Sequence, residues 1–140
     1  RSEWIGMGLT TIRCAELWGG SRHAEEDICT SGLTAALYSR SSDGRRGGDI
    51  YYFSVCSYDI LILTRVCLAD LRGHGEQVGA LSEWIYAQML EKMNTRDGAL
   101  VLAGLNEVLH ERGFEALTTA VVLSYNRQDR QLQYACAGHP

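Results

Sequence analysis

Proline is almost absent from this chain of 140 residues, because the single one, Pro140, is the last residue. The chain stops there in a loop-like stretch without a polar tail, so we expect a fragment of a longer protein. Basic residues are not in excess, and the net charge of -4 argues against a nucleic-acid-binding surface. The sequence also lacks an apolar run of membrane-spanning length and a signal-peptide pattern. These absences predict a soluble, cytoplasmic protein.

A C-x-x-C pair is also absent, and the number of cysteines is odd. This pattern is not typical of a disulfide framework or of a zinc site. We therefore predict reduced thiols that are mostly buried. The five cysteines are Cys14, Cys29, Cys56, Cys67 and Cys136.

The composition fits one globular domain with a substantial core, because 46% of the residues are hydrophobic and 21% are charged. Residues 1–31 have no clean hydrophobic period and form a predicted N-terminal extension. Within this extension, residues 18–20 (WGG) indicate a turn, and residues 22–27 indicate a solvated charged segment. The main domain is predicted to span residues 32–140.

Hydrophobic periodicity predicts strands, then two helices, then strands again. Apolar stripes at helical spacing predict the helices at residues 76–93 and 98–112, with a cap region at residues 95–97. Alternating or β-branched runs predict strands at residues 49–56, 60–69, 117–125 and 131–137. Residues 32–39 are a further plausible strand, although their alanines would also suit a helix. Short turns make one hairpin of the strands at residues 49–56 and 60–69 and another of the last two strands. This order predicts an α+β fold with helices packed on an antiparallel sheet.

Asp70 follows the buried strand at residues 60–69 and precedes Gly73 and Gly75. Burial at this point disfavours a carboxylate unless a cation or several hydrogen bonds compensate. The glycines allow turns that other residues resist, and they leave room for a close ligand. Two hypotheses stay open, namely that Asp70 holds a metal ion or that it caps the following helix.

A second acid, Asp49, begins the preceding strand. The start of one strand lies beside the end of its partner in an antiparallel hairpin, so Asp49 and Asp70 are expected to be close in space. This convergence is the main argument from the residues for a metal site. The glycine- and arginine-rich residues 40–48 before Asp49 predict a loop, either a flexible connection with exposed arginines or a phosphate cradle.

Three blocks of the sequence resemble the SpoIIE-type bacterial phosphatases, a branch of the metal-dependent protein phosphatases related to eukaryotic type 2C. The blocks are G-G-D at residues 47–49, A-D-L-R-G-H-G at residues 69–75 and Y-A-C-A-G-H-P at residues 134–140. The family pattern is G-G-D-x-Y, then D-V-S-G-H-G, then a hairpin that ends in N-A-G-H-P. The likeness covers residues 32–140.

The resemblance implies a β-sandwich flanked by helices on both outer faces, with two Mn²⁺ or Mg²⁺ ions at one end. By resemblance, Asp70 would bridge the ions, the carbonyl of Leu71 would complete one site, and Asp49 would hold a metal-bound water or touch a metal. The implied reaction removes phosphate from serine or threonine by in-line attack of a metal-activated water. The implied partner is a phosphorylated regulatory protein, usually an antagonist of an anti-sigma factor. The oligomeric state stays open, a homodimer included.

Arginines close to these acids are candidate contacts for the substrate phosphate, because a guanidinium group matches phosphate bidentately. They are Arg45, Arg46 and Arg72. Arg72 stands where the family has a small residue, so it either helps to bind phosphate or competes with a metal. Family members continue past A-G-H-P with more strands, a T-D-G block and a later aspartate, which complete the metal site. We therefore expect the sandwich and the active site to be incomplete at the C-terminus.

These departures motivate an alternative hypothesis, a catalytically inactive relative that binds a signalling partner. A diguanylate cyclase hairpin at residues 46–49 is rejected. That signature needs an acid and then phenylalanine after G-G-D, whereas this chain has Ile50 and Tyr51.

Overall fold

A computed structural model of the protein describes residues 12–41, 47–58, 61–72, 76–112 and 118–139. These ranges contain two helices, α1 (Glu76–Lys92) and α2 (Gly98–Glu111). They also contain seven strands, which are β1 (Arg13–Gly20), β2 (Ala24–Cys29), β3 (Thr34–Ser39), β4 (Asp49–Tyr58), β5 (Leu61–Leu71), β6 (Thr118–Asn126) and β7 (Gln131–Ala137).

Five of the strands form one antiparallel sheet in the order β1-β4-β5-β6-β7. The two helices pack on one face of this sheet. The main core lies between them, where Tyr52 and Cys67 of the sheet meet Met89 of α1 and Val101 of α2. Asp97 is the N-cap of α2, because its carboxylate accepts a hydrogen bond from the backbone N–H of Ala99 at 2.8 Å. The predicted helices and the predicted cap region are therefore confirmed.

The opposite face of the sheet contacts a separate two-stranded antiparallel sheet made of β2 and β3. Ile28 and Leu37 of this hairpin pack against Tyr51, Phe53 and Val66 of the larger sheet. The α+β class and the two predicted hairpins are confirmed. The complete sandwich with helices on both outer faces stays a prediction, because the helices of the described ranges cover one face. None of these helices has the length and apolar character that crossing a membrane requires.

One of two interpretations of the N-terminal part is wrong. The turn predicted at residues 18–20 lies inside β1, because Gly19 and Gly20 pair with Tyr52 and Tyr51 of β4. The charged segment predicted at residues 22–27 is solvated as expected, since its charged side chains are exposed, and most of it belongs to β2, where Ile28 is buried. Both stretches are extended because β1 pairs with the distant β4 and β2 pairs with β3. The predicted division at residue 31 falls between β2 and β3 and stays a prediction.

The prediction of reduced, mostly buried cysteines is also wrong. Cys14 and Cys56 occupy paired positions of β1 and β4 and form a disulfide. Cys29 and Cys136 are free but exposed, and Cys67 alone is both free and buried. The bridged cysteines are 42 residues apart in the sequence. Their proximity is a consequence of strand pairing, which cysteine spacing does not reveal.

Arg65 is fully buried near the middle of β5. Its Nε donates to Ser124 Oγ at 3.0 Å, and its Nη atoms donate to the backbone carbonyls of Met93, Thr95 and Arg96. These carbonyls belong to the connection between α1 and α2. A buried guanidinium is tolerated when its donors are satisfied, so Arg65 fixes the helical layer on the sheet.

Reduction of the disulfide between Cys14 and Cys56 should lower the free energy of unfolding by roughly 2–4 kcal/mol, because the bridge restricts the unfolded chain. Urea unfolding with and without dithiothreitol measures this difference. The Cys14→Ser variant should unfold like the reduced wild type and should not respond to the reductant. Cys136→Ser, which removes an exposed free thiol, should keep the full response. Detection of five reactive thiols instead of three in unreduced, denatured protein would contradict the bridge.

Candidate metal centre

Asp49 and Asp70 face each other at one end of the sheet. β5 continues past its predicted end to Leu71, so Asp70 lies inside the strand and is the paired residue of Asp49 on β4. Directly opposite residues of an antiparallel pair project to the same face. The predicted convergence of the two acids is therefore confirmed. Asp70 does not cap α1, because that helix begins at Glu76.

The two acids stand at the border between solvent and an apolar surface. Both are exposed, but the next pair on the same face, Tyr51 and Leu68, belongs to the core under the β2–β3 hairpin. Burial raises the pKa of Asp49, the charge of Asp70 raises it further, and His139 opposes the rise. The folded chain therefore holds two carboxylates together against their mutual repulsion.

The turn before Asp49 is held from two sides. The carbonyl of Gly48 accepts a hydrogen bond from the backbone N–H of Leu71 at 2.9 Å. The carbonyl of Gly47 accepts a hydrogen bond from Ser82 Oγ at 3.1 Å, and Ser82 is fully buried on α1. A Cβ atom at Gly48 would lie 2.1 Å from the carbonyl oxygen of Leu71, so only glycine fits at this position. Both β5 and α1 thus determine where Asp49 begins its strand.

The described residues offer oxygen atoms that suit a divalent cation. They include two facing carboxylates, and the missing side chain of Gly48 leaves space at the carbonyl oxygen of Leu71. Carboxylate and carbonyl oxygens are the donors that hard cations such as Mg²⁺ and Mn²⁺ prefer. A cation would also relieve the repulsion that raises the pKa of Asp49. The donor set therefore fits such an ion, although no group of three His, Cys, Asp or Glu side chains is found within the described ranges.

Two residues that the sequence analysis did not assign to the site lie beside the acids. Thr119 on β6 pairs with Asp70, which extends the row of facing residues to a third strand. Its Oγ1 is 3.0 Å from Nδ1 of His139. His139 belongs to the A-G-H-P block, so its motif was visible in the sequence. The contact with Thr119 depends on the pairing of β6 with β7 and on the turn after β7.

The predicted arginine contacts are only partly placed by the structure. Arg72 directly follows β5 and is exposed. Arg45 and Arg46 lie outside the described residues, as do the glycines predicted after Asp70, Gly73 and Gly75.

These observations define the chain as an α+β domain whose antiparallel sheet has a candidate metal site, the two facing acids, at one end. The family model described as stage II sporulation protein E (SpoIIE) matches residues 63–140, which is more than half of the chain. The chain therefore belongs to the SpoIIE family and is a phosphatase-related module. The matched range includes Asp70 and the A-G-H-P block, and Asp49 precedes it. Searches of curated proteins and of solved structures found no match.

The Gly48→Ala substitution should destabilise the protein by roughly 1–3 kcal/mol, because the added methyl group collides with a backbone oxygen. Chemical unfolding measures this loss. Gly104→Ala on α2 is the matched control, since its Cβ would meet the flexible end of Lys92 at 3.2 Å. That control should be neutral or stabilise the helix by up to about 1 kcal/mol. Equal stability of Gly48→Ala and wild type would contradict the described turn.

The Asp49→Asn substitution should stabilise the metal-free protein at neutral pH. The pKa of Asp49 is raised on folding, so folding binds protons, and stability falls as the pH rises from the unfolded pKa through the folded pKa. Above this pH window Asp49 is charged, and its burial and the repulsion from Asp70 lower the stability in full. Asparagine carries no charge and removes this loss. We expect a gain of at most about 1 kcal/mol, because solvent screens the exposed pair.

Urea unfolding in chelator between about pH 3 and pH 8 tests this pH dependence. The advantage of Asp49→Asn should disappear at the acidic end. The control is Asp27→Asn, at an exposed position of β2, which should show no such advantage. Lower stability of Asp49→Asn at neutral pH would contradict the repulsion between the two acids.

Proposed function

We propose that the module hydrolyses phosphoserine or phosphothreonine on a regulatory protein, such as an antagonist of an anti-sigma factor, and that this activity depends on a divalent metal. The observation that carries the proposal is the facing pair Asp49 and Asp70, next to the carbonyl of Leu71 in a SpoIIE-family chain. The pair stands at the exposed end of the sheet, where a side chain of another protein has access.

Asp49, Asp70 and the carbonyl of Leu71 would hold Mn²⁺ or Mg²⁺, with two ions expected for the family. When bound, such ions supply a nucleophile at neutral pH and stabilise negative charge on the reacting phosphoryl group. The role assigned to Asp49 and Asp70 is to lower the net positive charge of the site and to orient the ions.

The polypeptide contributes orientation. Register in the β4–β5 hairpin sets the relative position of the two carboxylates, and the hydrogen bonds to Gly47 and Gly48 set the turn that precedes Asp49. Arg72 would contact the phosphate, since it is exposed and directly follows Leu71. Arg45 and Arg46 are assigned the same role on the strength of their sequence position shortly before Asp49.

A second candidate function is a catalytically inactive phosphatase-like module that binds a signalling partner. The observation that favours it is the absence of a group of three metal-ligating side chains from the described ranges. The two candidates differ in their dependence on metal. Hydrolysis requires it, whereas partner binding by the inactive module survives chelation.

The Asp70→Asn substitution should reduce Mn²⁺-dependent release of phosphate from a phosphoserine peptide by at least about a hundredfold, since an oxygen ligand loses its charge. The matched control is Asp27→Asn, which should keep the activity of the wild type. Electron paramagnetic resonance of Mn²⁺ measures metal affinity in the same samples, and this affinity should fall in Asp70→Asn alone.

Unchanged activity in Asp70→Asn would refute the role of this residue. Mn²⁺ binding without hydrolysis in the wild type would favour the inactive module. In that case, binding of the phosphoserine peptide should persist in chelator and in Asp70→Asn.

A further inference from the structure

His139 lies in the turn that follows β7, and none of the roles above includes it. Gly138 has a φ of 68°, and it bridges in parallel to Ala120 of β6. A positive φ is readily adopted by glycine and strained for most other residues. The chain continues past β7 along β6, with Gly138 at Ala120 and His139 at Thr119. His139 is therefore placed beside Thr119.

Contacts at both ends of the residue hold His139 in this position. Its Nδ1 is 3.0 Å from Thr119 Oγ1, and its backbone carbonyl accepts a hydrogen bond from Cys136 Sγ at 3.2 Å. Thr119 is the paired residue of Asp70, and His139 is near enough to lower the pKa of Asp49. The imidazole ring thus lies at the same end of the sheet as both acids.

The contact with Thr119 has a consequence for the second ring nitrogen. A threonine hydroxyl can donate its proton to Nδ1, and a neutral imidazole then carries its own proton on Nε2. Nε2 in this form is a hydrogen-bond donor and cannot bind a metal. The imidazolium form also carries a proton on Nε2, so the half-buried ring offers an N–H group beside the acid pair both in that form and in the neutral tautomer that accepts from Thr119.

We infer that His139 is a further substrate-binding residue of this site, whose Nε2–H donates a hydrogen bond to a phosphate oxygen, and that Thr119 is the residue that positions it. The inference rests on the proposed function and adds a contact to the phosphoryl group from the β6–β7 side of the sheet. An N–H donor suits this place because the neighbouring acids only accept hydrogen bonds when ionised.

Titration of inorganic phosphate into the Mn²⁺-loaded chain, followed by calorimetry, tests the inference. His139→Ala should weaken phosphate binding by about tenfold to a hundredfold, because a hydrogen bond to a charged group is lost. Its affinity for Mn²⁺ should stay within about twofold of the wild type, because the oxygen ligands are unchanged. His110→Ala, at an exposed position of α2, is the matched control and should leave both affinities unchanged.

The positioning role of Thr119 needs its own variants. Thr119→Ser keeps the hydroxyl and should bind phosphate like the wild type, whereas Thr119→Val should lose affinity as His139→Ala does. Nitrogen-15 NMR of the metal-free chain should show His139 with its proton on Nε2, and Thr119→Val should change that tautomer. These two readouts do not depend on hydrolysis.

Three results would overturn the inference. They are unchanged phosphate affinity in His139→Ala, a neutral His139 ring with its only proton on Nδ1 in the metal-free wild type, and a large loss of Mn²⁺ affinity in His139→Ala, which would make His139 a metal ligand. Failure of the wild type to bind Mn²⁺ would instead refute the proposed function. The comparison of wild type and His139→Ala with phosphate in metal-free buffer would then still decide whether His139 binds the anion.

Discussion

The register between β4 and β5 is the constraint on which the candidate site depends. Ten successive pairs join the two strands, from Asp49 with Asp70 to Tyr58 with Leu61. A slip of one residue would turn every side chain of one strand to the other face. Asp70 would then point to the helices, where Ala69 now packs in the core. Burial of the apolar rows therefore also fixes the position of the acids.

The same packing makes the acid pair lower the stability of the metal-free protein. Apolar residues directly beneath the carboxylates remove water from one side, and the two negative charges repel each other. The remaining structure compensates with hydrophobic clusters on both faces of the sheet, the largest of them under the helices. A cation bound as proposed would stabilise the folded protein, because the ion would interact with the acid pair that only the folded chain brings together.

Polar contacts attach the helical layer to the sheet at two places. Away from the acids, the guanidinium group of Arg65 binds the connection between the helices. Near the acids, Ser82 of α1 binds the carbonyl of Gly47. Movement of α1 relative to the sheet would therefore change the turn before Asp49. The proposed metal site is coupled in this way to a helix that contributes no ligand to it.

The amino-acid sequence by itself determined the helices, the two long hairpins and the convergence of Asp49 on Asp70, because these features follow from local periodicity and from strands that adjoin in the chain. Tertiary structure alone decided the strands at residues 13–20 and 24–29, the disulfide between Cys14 and Cys56, and the contact of Thr119 with His139. The physical reason is that these features depend on pairing or turns that bring separated segments together. Local composition records the preference of a segment, whereas its partner in the sheet determines what it contacts.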